Sequence, residues 1–343
     1  CVDLLTDREQ DACEIKIGVD PRAPAMTQIS IEFESLSAFP AQRRELLFWG
    51  ERLTVAGKGA VALVPSEGRQ TMAGDLSVTI PSVTVPDLGV YQRYLPEQWP
   101  FKLNGGQGVL RGRVALSGTR WHATLKLLSE NADVGLADYR FRSNLEVTLK
   151  ASSRSLAAAG VDITGTAIRL ANAELFNAND ARSEPWHASL TVASGVVKLR
   201  VPEKKGTPDR RQWFGGLEKN EIRTRLETGA QPLTLTGSIS DLQWLPLLLN
   251  NPYPLAVHGA GQMRAELYLA SGWPEAGSVL QIQPSQLRVD VLDYAAEGDG
   301  HITLAVERGG RNPDLNLVAT LDDGELKRQN EANAYIDKVR LRL

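Results

Sequence analysis

The sequence predicts a mostly β protein: an elongated, curved antiparallel sheet (a β-groove) built from tandem meander repeats, each headed by a short helix. Three observations support this prediction. Apolar and polar residues alternate with period two, turn residues separate the alternating segments, and a long stretch of the chain occurs twice. Alternation with period two specifies strands with one apolar and one polar face. Such strands belong to antiparallel sheets that are covered on one side only.

The alternating segments extend over most of the chain. They include residues 29–33, 145–149, 188–192, 197–201, 263–269, 287–291, 302–306 and 315–321. Glycine-rich clusters such as Gly105-Gly106 and Gly309-Gly310 lie between them, as hairpin turns require. We therefore predict a meander of antiparallel strands.

Residues 87–149 and 241–304 share one layout. Each stretch begins with Asp-Leu, and each has Asp-Tyr near its end, at Asp138-Tyr139 and Asp293-Tyr294. The offset is 241 − 87 = 154 at the start and 293 − 138 = 155 at the end. A register kept over this length predicts duplication, and duplication predicts an elongated, stackable architecture.

Helical patterns are short and few. Residues 88–95 form a small apolar helical face in the first copy, and residues 242–249 form its counterpart in the second. Asp87 and Asp241 stand one residue before these faces, where an N-cap is expected. Residues 41–53, which contain the apolar run Leu46-Leu47-Phe48-Trp49, predict a further helix.

Three units follow from these patterns. We expect an N-terminal β-rich segment over residues 1–75 with the helix at 41–53, a first repeat over 76–230, and a second, truncated repeat over 231–343. Alternation continues to the last residue. We therefore expect the chain to be a segment of a longer protein.

Composition excludes several classes of protein. Hydrophobic residues make up 42% of the chain, enough to bury a core. The net charge is −3 and the charges are interspersed, so we expect no nucleic-acid partner. No run of about 18 apolar residues is present to span a membrane as a helix.

The two cysteines, Cys1 and Cys13, lie close together at the start of the chain. A disulfide between them would indicate an oxidising compartment. Two other interpretations stay open: two separate buried thiols, or a lipidated N-terminus at Cys1. Residues 201–216 are rich in basic and aromatic residues and predict either a solvated loop or a contact with lipid headgroups or a partner.

Catalytic and metal-binding patterns are missing from the sequence. The four histidines lie far apart, and no zinc-ligand spacing exists. Gly259-Ala260-Gly261 lacks the third glycine of a dinucleotide-binding turn and opens into a strand. We therefore expect a protein that is not an enzyme and that needs no cofactor and no metal.

The apolar face of the predicted strands carries the functional hypothesis. It forms either the dry core of a β-sandwich or a partly open groove for a hydrocarbon chain, where each buried methylene contributes roughly 0.8 kcal/mol. The predicted groove-lining residues are Val114, Leu116, Leu125, Leu127, Leu145, Val147, Leu149, Leu190, Val192, Leu267, Leu269, Val289, Val291, Ile302, Leu304 and Val306.

Two segments resemble a known family. LPEQWPFKLNGGQGVLRGRVALSG (residues 95–118) and GTAIRLANAEL (residues 165–175) are similar to the AsmA-like/TamB-like superfamily of Gram-negative bacteria. The resemblance covers the chain from about residue 76 onwards. It implies a periplasmic β-groove that serves outer-membrane biogenesis, anchored to the inner membrane by an N-terminal segment outside this chain.

The resemblance also implies a function and partners. Such proteins conduct phospholipid-type acyl chains between the two membranes without catalysis, and TamB also assists outer-membrane protein assembly. Expected partners are a phospholipid or other acyl-chain lipid and envelope proteins. The alternative is an envelope scaffold that binds partner proteins through sheet edges and loops. Cys1 and Cys13 are not typical of the family, and a polysaccharide-cleaving β-solenoid is disfavoured because its repeat would be far shorter.

Overall fold

The computed structural model of the chain describes residues 13–19, 26–38, 46–60, 74–95, 101–136, 139–153, 160–177, 181–200, 225–228, 231–248, 254–310, 313–328 and 334–342. Within these residues the protein is mostly β, and one large antiparallel sheet is open at both edges. The predicted fold class is confirmed. Period-two alternation determines it, because each strand can bury only one face.

The described residues form twenty-two strands. They are β1 (Cys13–Val19), β2 (Met26–Ala38), β3 (Phe48–Ala60), β4 (Gly74–Val85), β5 (Phe101–Ser117), β6 (Arg120–Leu136), β7 (Tyr139–Ser153), β8 (Gly160–Asp162), β9 (Ala167–Phe176), β10 (Trp186–Ser194), β11 (Val196–Arg200), β12 (Arg225–Thr228), β13 (Leu233–Ile239), β14 (Leu255–His258), β15 (Gly261–Leu267), β16 (Leu269–Ala270), β17 (Trp273–Pro274), β18 (Val279–Pro284), β19 (Leu287–Val291), β20 (Tyr294–Arg308), β21 (Asp314–Arg328) and β22 (Ala334–Arg342).

Hydrogen-bonded pairs connect these strands in chain order. The path across the sheet is β1-β2-β3-β4-β5-β6-β7-β9-β10-β13-β15-β18-β20-β21-β22. Strands β8, β11 and β12 form a shorter ladder beside β9, β10 and β13, and β14 pairs with β19. Strands β16 and β17 form a separate two-stranded ribbon. The architecture is therefore a meander without crossovers.

Two short helices lie at the same end of the strands. The 3-10 helix η1 (Leu88–Tyr94) follows β4, and the α-helix α1 (Leu245–Leu248) follows β13. The carboxylate of Asp87 accepts a hydrogen bond from the Gly89 backbone at 2.8 Å. The carboxylate of Asp241 accepts from Leu242 at 2.6 Å and from Gln243 at 3.2 Å. Asp87 is therefore the N-cap of η1, because it satisfies a backbone donor that a helix start leaves unpaired. Asp241 instead bonds to the turn before α1 and stands four residues before that helix begins.

One cross-strand row of residues, which we call row A, is apolar or glycine at every position. Residues opposite each other in an antiparallel pair point to the same face of a sheet. Row A consists of Leu36, Gly50, Val83, Leu110, Leu127, Val147, Ile168, Leu190, Gly237, Met263, Ile282, Ile302 and Ala319. We call the face that carries row A the apolar face.

The neighbouring row on the opposite face is different in character. This row B consists of Trp49, Thr84, Val109, Leu128, Glu146, Arg169, Ser189, Ser238, Gln262 and Gln283. Along the sheet, this row begins with Trp49, Thr84, Val109 and Leu128, continues with the charged pair Glu146 and Arg169, and ends with hydroxyl and amide side chains. We call the face that carries row B the polar face.

Burial of the apolar face is uneven. The largest core cluster joins α1 to strands from β9 to β21, and it includes Leu242, Leu245, Ile282 and Ile302, which are almost fully buried. Between β2 and β9 the same face is only partly covered. A smaller cluster packs Leu88 of η1 against Val85 and Ala132. The core therefore lies under α1, at the C-terminal part of the sheet.

Two bulges bend the sheet beside row B. Strands β6 and β9 each carry an extra residue relative to their partners β7 and β10. Asn131 and Asn172 occupy these positions with φ of 53° and 52°, a backbone region that asparagine tolerates better than most residues. Asn144 accepts a hydrogen bond from the Asn131 backbone N–H at 3.2 Å, and His187 accepts one from Asn172 at 3.2 Å. Side chains of the neighbouring strands thus satisfy the donors that the bulges leave out of the ladder.

The helix predicted over residues 41–53 is wrong from Phe48 onwards. Strand β3 begins at Phe48 and pairs with β2 and β4 along its length. The apolar run 46–49 has no helical period of its own, and short runs of this kind are ambiguous between helix and strand. The segment forms a strand because it pairs with β2 on one side and with β4 on the other. Residues 41–45 lie outside the described part.

The predicted unit boundaries fall within a continuous sheet. Residue 76 lies in β4, which pairs with both β3 and β5. The boundary at 230/231 lies between β12 and β13, and β13 pairs with β10 and β15. Backbone hydrogen bonds therefore run across both positions.

Asp133 ties β6 to its neighbours on the polar face. Its buried carboxylate accepts hydrogen bonds from Arg140 Nε at 2.7 and 2.9 Å, from Asn104 Nδ2 at 3.0 Å and from Arg142 Nε at 3.3 Å. Burial alone would raise the pKa of Asp133. The hydrogen bonds from Arg140, Asn104 and Arg142 and the positive charge of Arg140 together outweigh burial and hold the pKa of Asp133 below its ordinary value.

Row A provides a matched pair of substitutions for the uneven core. Ile302→Ala, in a residue that is 1% exposed, should lower the free energy of unfolding by about 3 kcal/mol, because it leaves a cavity. Ile168→Ala, in the same row but 38% exposed, should cost roughly 1 kcal/mol or less. Urea denaturation followed by circular dichroism measures both values. Equal costs would contradict the uneven burial.

Asp133 should make stability depend on pH in the acid range. Its lowered pKa contributes stability that is fully present above the unfolded-state value of about 3.9, and this stability is lost as the pH falls through the folded-state pKa. Asp133→Asn should cost about 2 kcal/mol at pH 7, and the difference from the parent should shrink at pH 3. Urea midpoints at the two pH values measure this, with exposed Asp293→Asn as the control. A constant difference would show that the ion pairs contribute nothing.

Candidate functional site

The candidate site is the apolar face, because the register places the predicted groove-lining residues there. Val147 and Leu127 are opposite each other in row A, and Leu125 is opposite Leu149 in the adjoining row. Leu304 is opposite Leu280 and Leu317 further along the sheet. Leu269 is the exception in location, since it lies in the ribbon β16–β17, but it packs against the same small core cluster as Leu267.

Three of the predicted lining residues lie in the interior. Val192, Val289 and Ile302 are buried, and Val289 and Ile302 belong to the cluster that α1 covers. Leu242 and Leu245 of that helix region are fully enclosed in the same cluster. These three residues are therefore part of the packed core. The other predicted lining residues are half-buried, apart from Leu149, which is exposed.

Between β2 and β9 the apolar face presents large aliphatic side chains to solvent. Ile29, Leu76, Leu149 and Ile168 are 42%, 43%, 36% and 38% exposed. We call these four residues and their half-buried neighbours on that face the open apolar surface. Large exposed apolar patches on soluble proteins usually mark an interaction site. The sequence prediction included Leu149 but missed the others, although Ile29 and Ile168 lie in alternating segments that show the same signal.

The helix end of the open apolar surface is closed by η1. Leu88 packs with Val85 and Ala132, and Leu127 and Leu145 pack against this cluster. The hydroxyl of Tyr91 donates a hydrogen bond to the Leu47 carbonyl at 3.0 Å, which connects η1 to the segment before β3. Aliphatic side chains of β6 and β7 therefore continue beneath the helix.

The second helix region closes the other part of the face through two stacked tryptophans. The rings of Trp186 and Trp244 are 5.6 Å apart with an interplanar angle of 29°. Trp244 Nε1 donates to the Asp241 carbonyl at 3.1 Å, whereas Trp186 Nε1 is buried and has no hydrogen-bond partner among the described residues. His258 Nδ1 lies 3.7 Å from the Asp241 carboxylate. Stacking of the two rings and the contacts of Trp244 and His258 with Asp241 thus hold the turn before α1 on the sheet.

The described residues contain no group of three or more His, Cys, Asp or Glu side chains that could hold a metal ion. In the same part of the chain, no helix is long and apolar enough to cross a membrane. Cys1 and residues 201–216 lie outside the described residues, and Cys13 begins β1. The proposed disulfide and the basic, aromatic segment stay predictions.

Comparison with known proteins gives no relative: no family model, no curated protein and no solved structure matches the chain. The similarity of residues 95–118 and 165–175 to the AsmA-like/TamB-like superfamily therefore stays a prediction from the sequence.

Trp186 offers a test of the stacked pair. Trp186→Phe keeps an aromatic ring beside Trp244 and removes a buried donor that has no acceptor, so the free energy of unfolding should be unchanged or slightly higher. Trp186→Ala should lower it by about 3 to 5 kcal/mol, because it empties the site. Thermal and urea unfolding of the two variants measure the difference. A loss of more than about 2 kcal/mol for the phenylalanine variant would mean that Nε1 does have an acceptor.

Proposed function

We propose that this protein is a non-enzymatic lipid-binding β-groove whose open apolar surface holds the acyl chains of a phospholipid-type lipid. The observation that carries the proposal is the open apolar surface between β2 and β9, where Ile29, Leu76, Leu149 and Ile168 are exposed on the face that carries row A. A hydrocarbon chain fits such a surface because aliphatic contacts need no polar recognition. Burial of each methylene contributes roughly 0.8 kcal/mol.

Dimensions support transport rather than storage of one molecule. Neighbouring strands lie 4.7–4.9 Å apart, so row A extends roughly 60 Å along the sheet from β2 to β21. Half of a bilayer core is roughly 15 Å thick, which approximates one acyl chain. The open part between β2 and β9 spans roughly 30 Å, enough for two chains end to end. Lipids could therefore pass from one site to the next along the face.

The cellular setting rests on the sequence resemblance. Under this proposal the chain works in the periplasm of a Gram-negative bacterium, as part of a path between the inner and the outer membrane. A segment outside this chain would supply the membrane anchor. No catalytic residue and no cofactor is assigned, because the proposed transfer uses burial alone.

A matched pair of positions tests the proposal. Ile168 on the apolar face and Leu128 on the polar face are aliphatic, are 38% and 40% exposed, and lie in neighbouring rows of the same sheet. A photoreactive diazirine amino acid at position 168 or 149 should form adducts with phospholipid mass when the protein is purified from Gram-negative cells. The same group at position 128 should give none. Intact-protein mass spectrometry after irradiation measures the adducts.

A second test places a charged side chain on the apolar face. Ile168→Glu and Leu149→Glu should abolish co-purifying lipid, measured by extraction and native mass spectrometry, and leave the circular dichroism spectrum unchanged. Leu128→Glu is the control and should keep the lipid. Equal lipid adducts from both faces, or none from either, would contradict the groove.

The alternative function, an envelope scaffold, is favoured by the two edge strands. Within the described residues β1 pairs only with β2, and β22 pairs only with β21. Exposed strand edges bind other strands through backbone hydrogen bonds. If the scaffold is correct, photoreactive groups on the apolar face will capture protein and no lipid.

A further inference from the structure

The polar face of strands β5, β6 and β7 carries a group of exposed cationic side chains. Arg111 of β5 is directly opposite Lys126 of β6. In the adjoining row, Thr124 of β6 lies between Arg113 of β5 and Lys150 of β7. A further cation, Arg120, stands where β6 begins after the β5–β6 turn. We call this exposed group the basic patch, and its members are Arg111, Arg113, Arg120, Lys126 and Lys150.

The charges of the basic patch are mostly unpaired within the described residues. Lys126 lies 2.8 Å from Glu146, which is also 3.9 Å from Arg169. The other four members, Arg111, Arg113, Arg120 and Lys150, form no ion pair with any residue that the structure describes. Most of the positive charge is therefore left for a partner outside the described sheet.

Carboxylates are sparse on this part of the polar face. From row B to the β5–β6 turn, the described strands β5 and β6 contribute none, whereas β4 contributes Asp75 and β7 contributes Glu146. Five cations against two carboxylates give these four strands a balance of 5 − 2 = +3. The next strand, β3, adds one residue of each sign, Glu51 and Lys58. Because the whole chain has a net charge of −3, positive charge is concentrated here against the overall sign.

The pairing of Arg111 with Lys126 is unfavourable for the sheet itself, since like charges directly opposite each other destabilise a sheet. Glu146 offsets the charge of Lys126. The guanidinium of Arg111 keeps its charge and its donors, which suit the oxygens of a phosphate. An anionic partner on the polar face would therefore relieve the repulsion.

The dimensions of the basic patch favour an extended partner. Neighbouring strands are about 4.8 Å apart and successive residues about 3.4 Å apart. The patch therefore covers roughly 10 Å across the strands and roughly 20 Å along them. A single small anion would contact only part of this area, whereas a surface with many anionic groups would contact all of it.

Exposed apolar side chains lie beside the basic patch on the same face. Leu128 is two residues from Lys126 along β6 and is 40% exposed, and Trp49 in the same row as Leu128 is 44% exposed. Aliphatic and aromatic side chains next to Lys and Arg are typical of protein surfaces that lie in a lipid headgroup layer. This combination favours a membrane over a purely polar polyanion.

We propose that the basic patch docks this chain on a membrane surface that contains anionic phospholipids, with lipid phosphates as its ligands. The choice of a membrane also rests on the proposed function, because a protein that transfers lipid has to meet a membrane to load or release it. Docking through the polar face leaves the open apolar surface, on the other side of the same strands, uncovered.

Co-sedimentation of the intact chain with vesicles tests the proposal. Vesicles of equal parts phosphatidylcholine and phosphatidylglycerol should bind at least tenfold more tightly than vesicles of phosphatidylcholine alone. Binding should weaken as salt is added, because exposed charges are screened. The double variant Arg111→Gln, Arg113→Gln should bind the anionic vesicles at least tenfold more weakly, since each cation near an anionic membrane adds to affinity.

A matched double variant controls for net charge. Arg264→Gln, Arg288→Gln removes two exposed arginines that pair with Glu266 and Asp290 and lie outside the basic patch, and it should bind vesicles like the parent. Circular dichroism checks that both double variants keep the fold. Arg120→Gln, at the β5–β6 turn, is a milder second variant and should also weaken binding.

Three results would overturn the proposal. They are equal binding to the two kinds of vesicle, an equal loss in the two double variants, and binding of polyglutamate with no binding of vesicles, which would assign the basic patch to an acidic protein. Photoadducts at position 168 report the lipid groove separately. The Arg111→Gln, Arg113→Gln variant should keep them, whereas vesicle binding without adducts would refute the groove and leave the docking surface in place.

Discussion

Register is the constraint on which the rest of this structure depends. A strand shows its two faces alternately, so a slip of one residue would exchange the apolar and the polar face along its whole length. Row A keeps apolar residues or glycine in register from β2 to β21, although the chain between neighbouring strands varies in length. A slip anywhere would place aliphatic side chains in water and charges in the core. Burial of row A therefore holds row B in place as well.

The bulges let the sheet bend while the register is kept. An extra residue in β6 would normally shift every later side chain to the wrong face. Asn131 avoids this by taking a left-handed conformation, and Asn172 does the same in β9. Their partners Asn144 and His187 come from neighbouring strands, 13 and 15 residues further along the chain, so each bend needs a pair of residues on two strands. The same polar side chains that make the bends possible then line a depression of about 1000 Å³.

Much of this fold could be predicted from local pattern, and the failures have a common cause. Period-two alternation predicted β2, β7, β10 and β21, and Asp87 predicted the cap of η1, because both signals depend on a few neighbouring residues. The strand at Phe48 was missed because long-range pairing with β2 and β4 decides it. The difference between Ile302, which is core, and Ile168, which is exposed, could not be predicted either. Both have the same local pattern, and only the packing of α1 on distant strands separates them.

Uneven burial also determines which part of the apolar face can serve a ligand. Opening the part under α1 would expose Met263, Ile282, Ile302 and Ala319 together with the tryptophan pair. Each large apolar side chain would cost roughly 1.5 to 3 kcal/mol, a total comparable with the whole stability of a typical domain. Between β2 and β9 many of the apolar side chains are already exposed or half-buried, so covering them with hydrocarbon is favourable. The closed part therefore stabilises the sheet, and the open part is left for binding. Because the two parts share row A, the strands that bind keep their register with only the small cluster of Val85, Leu88 and Ala132 as a core of their own.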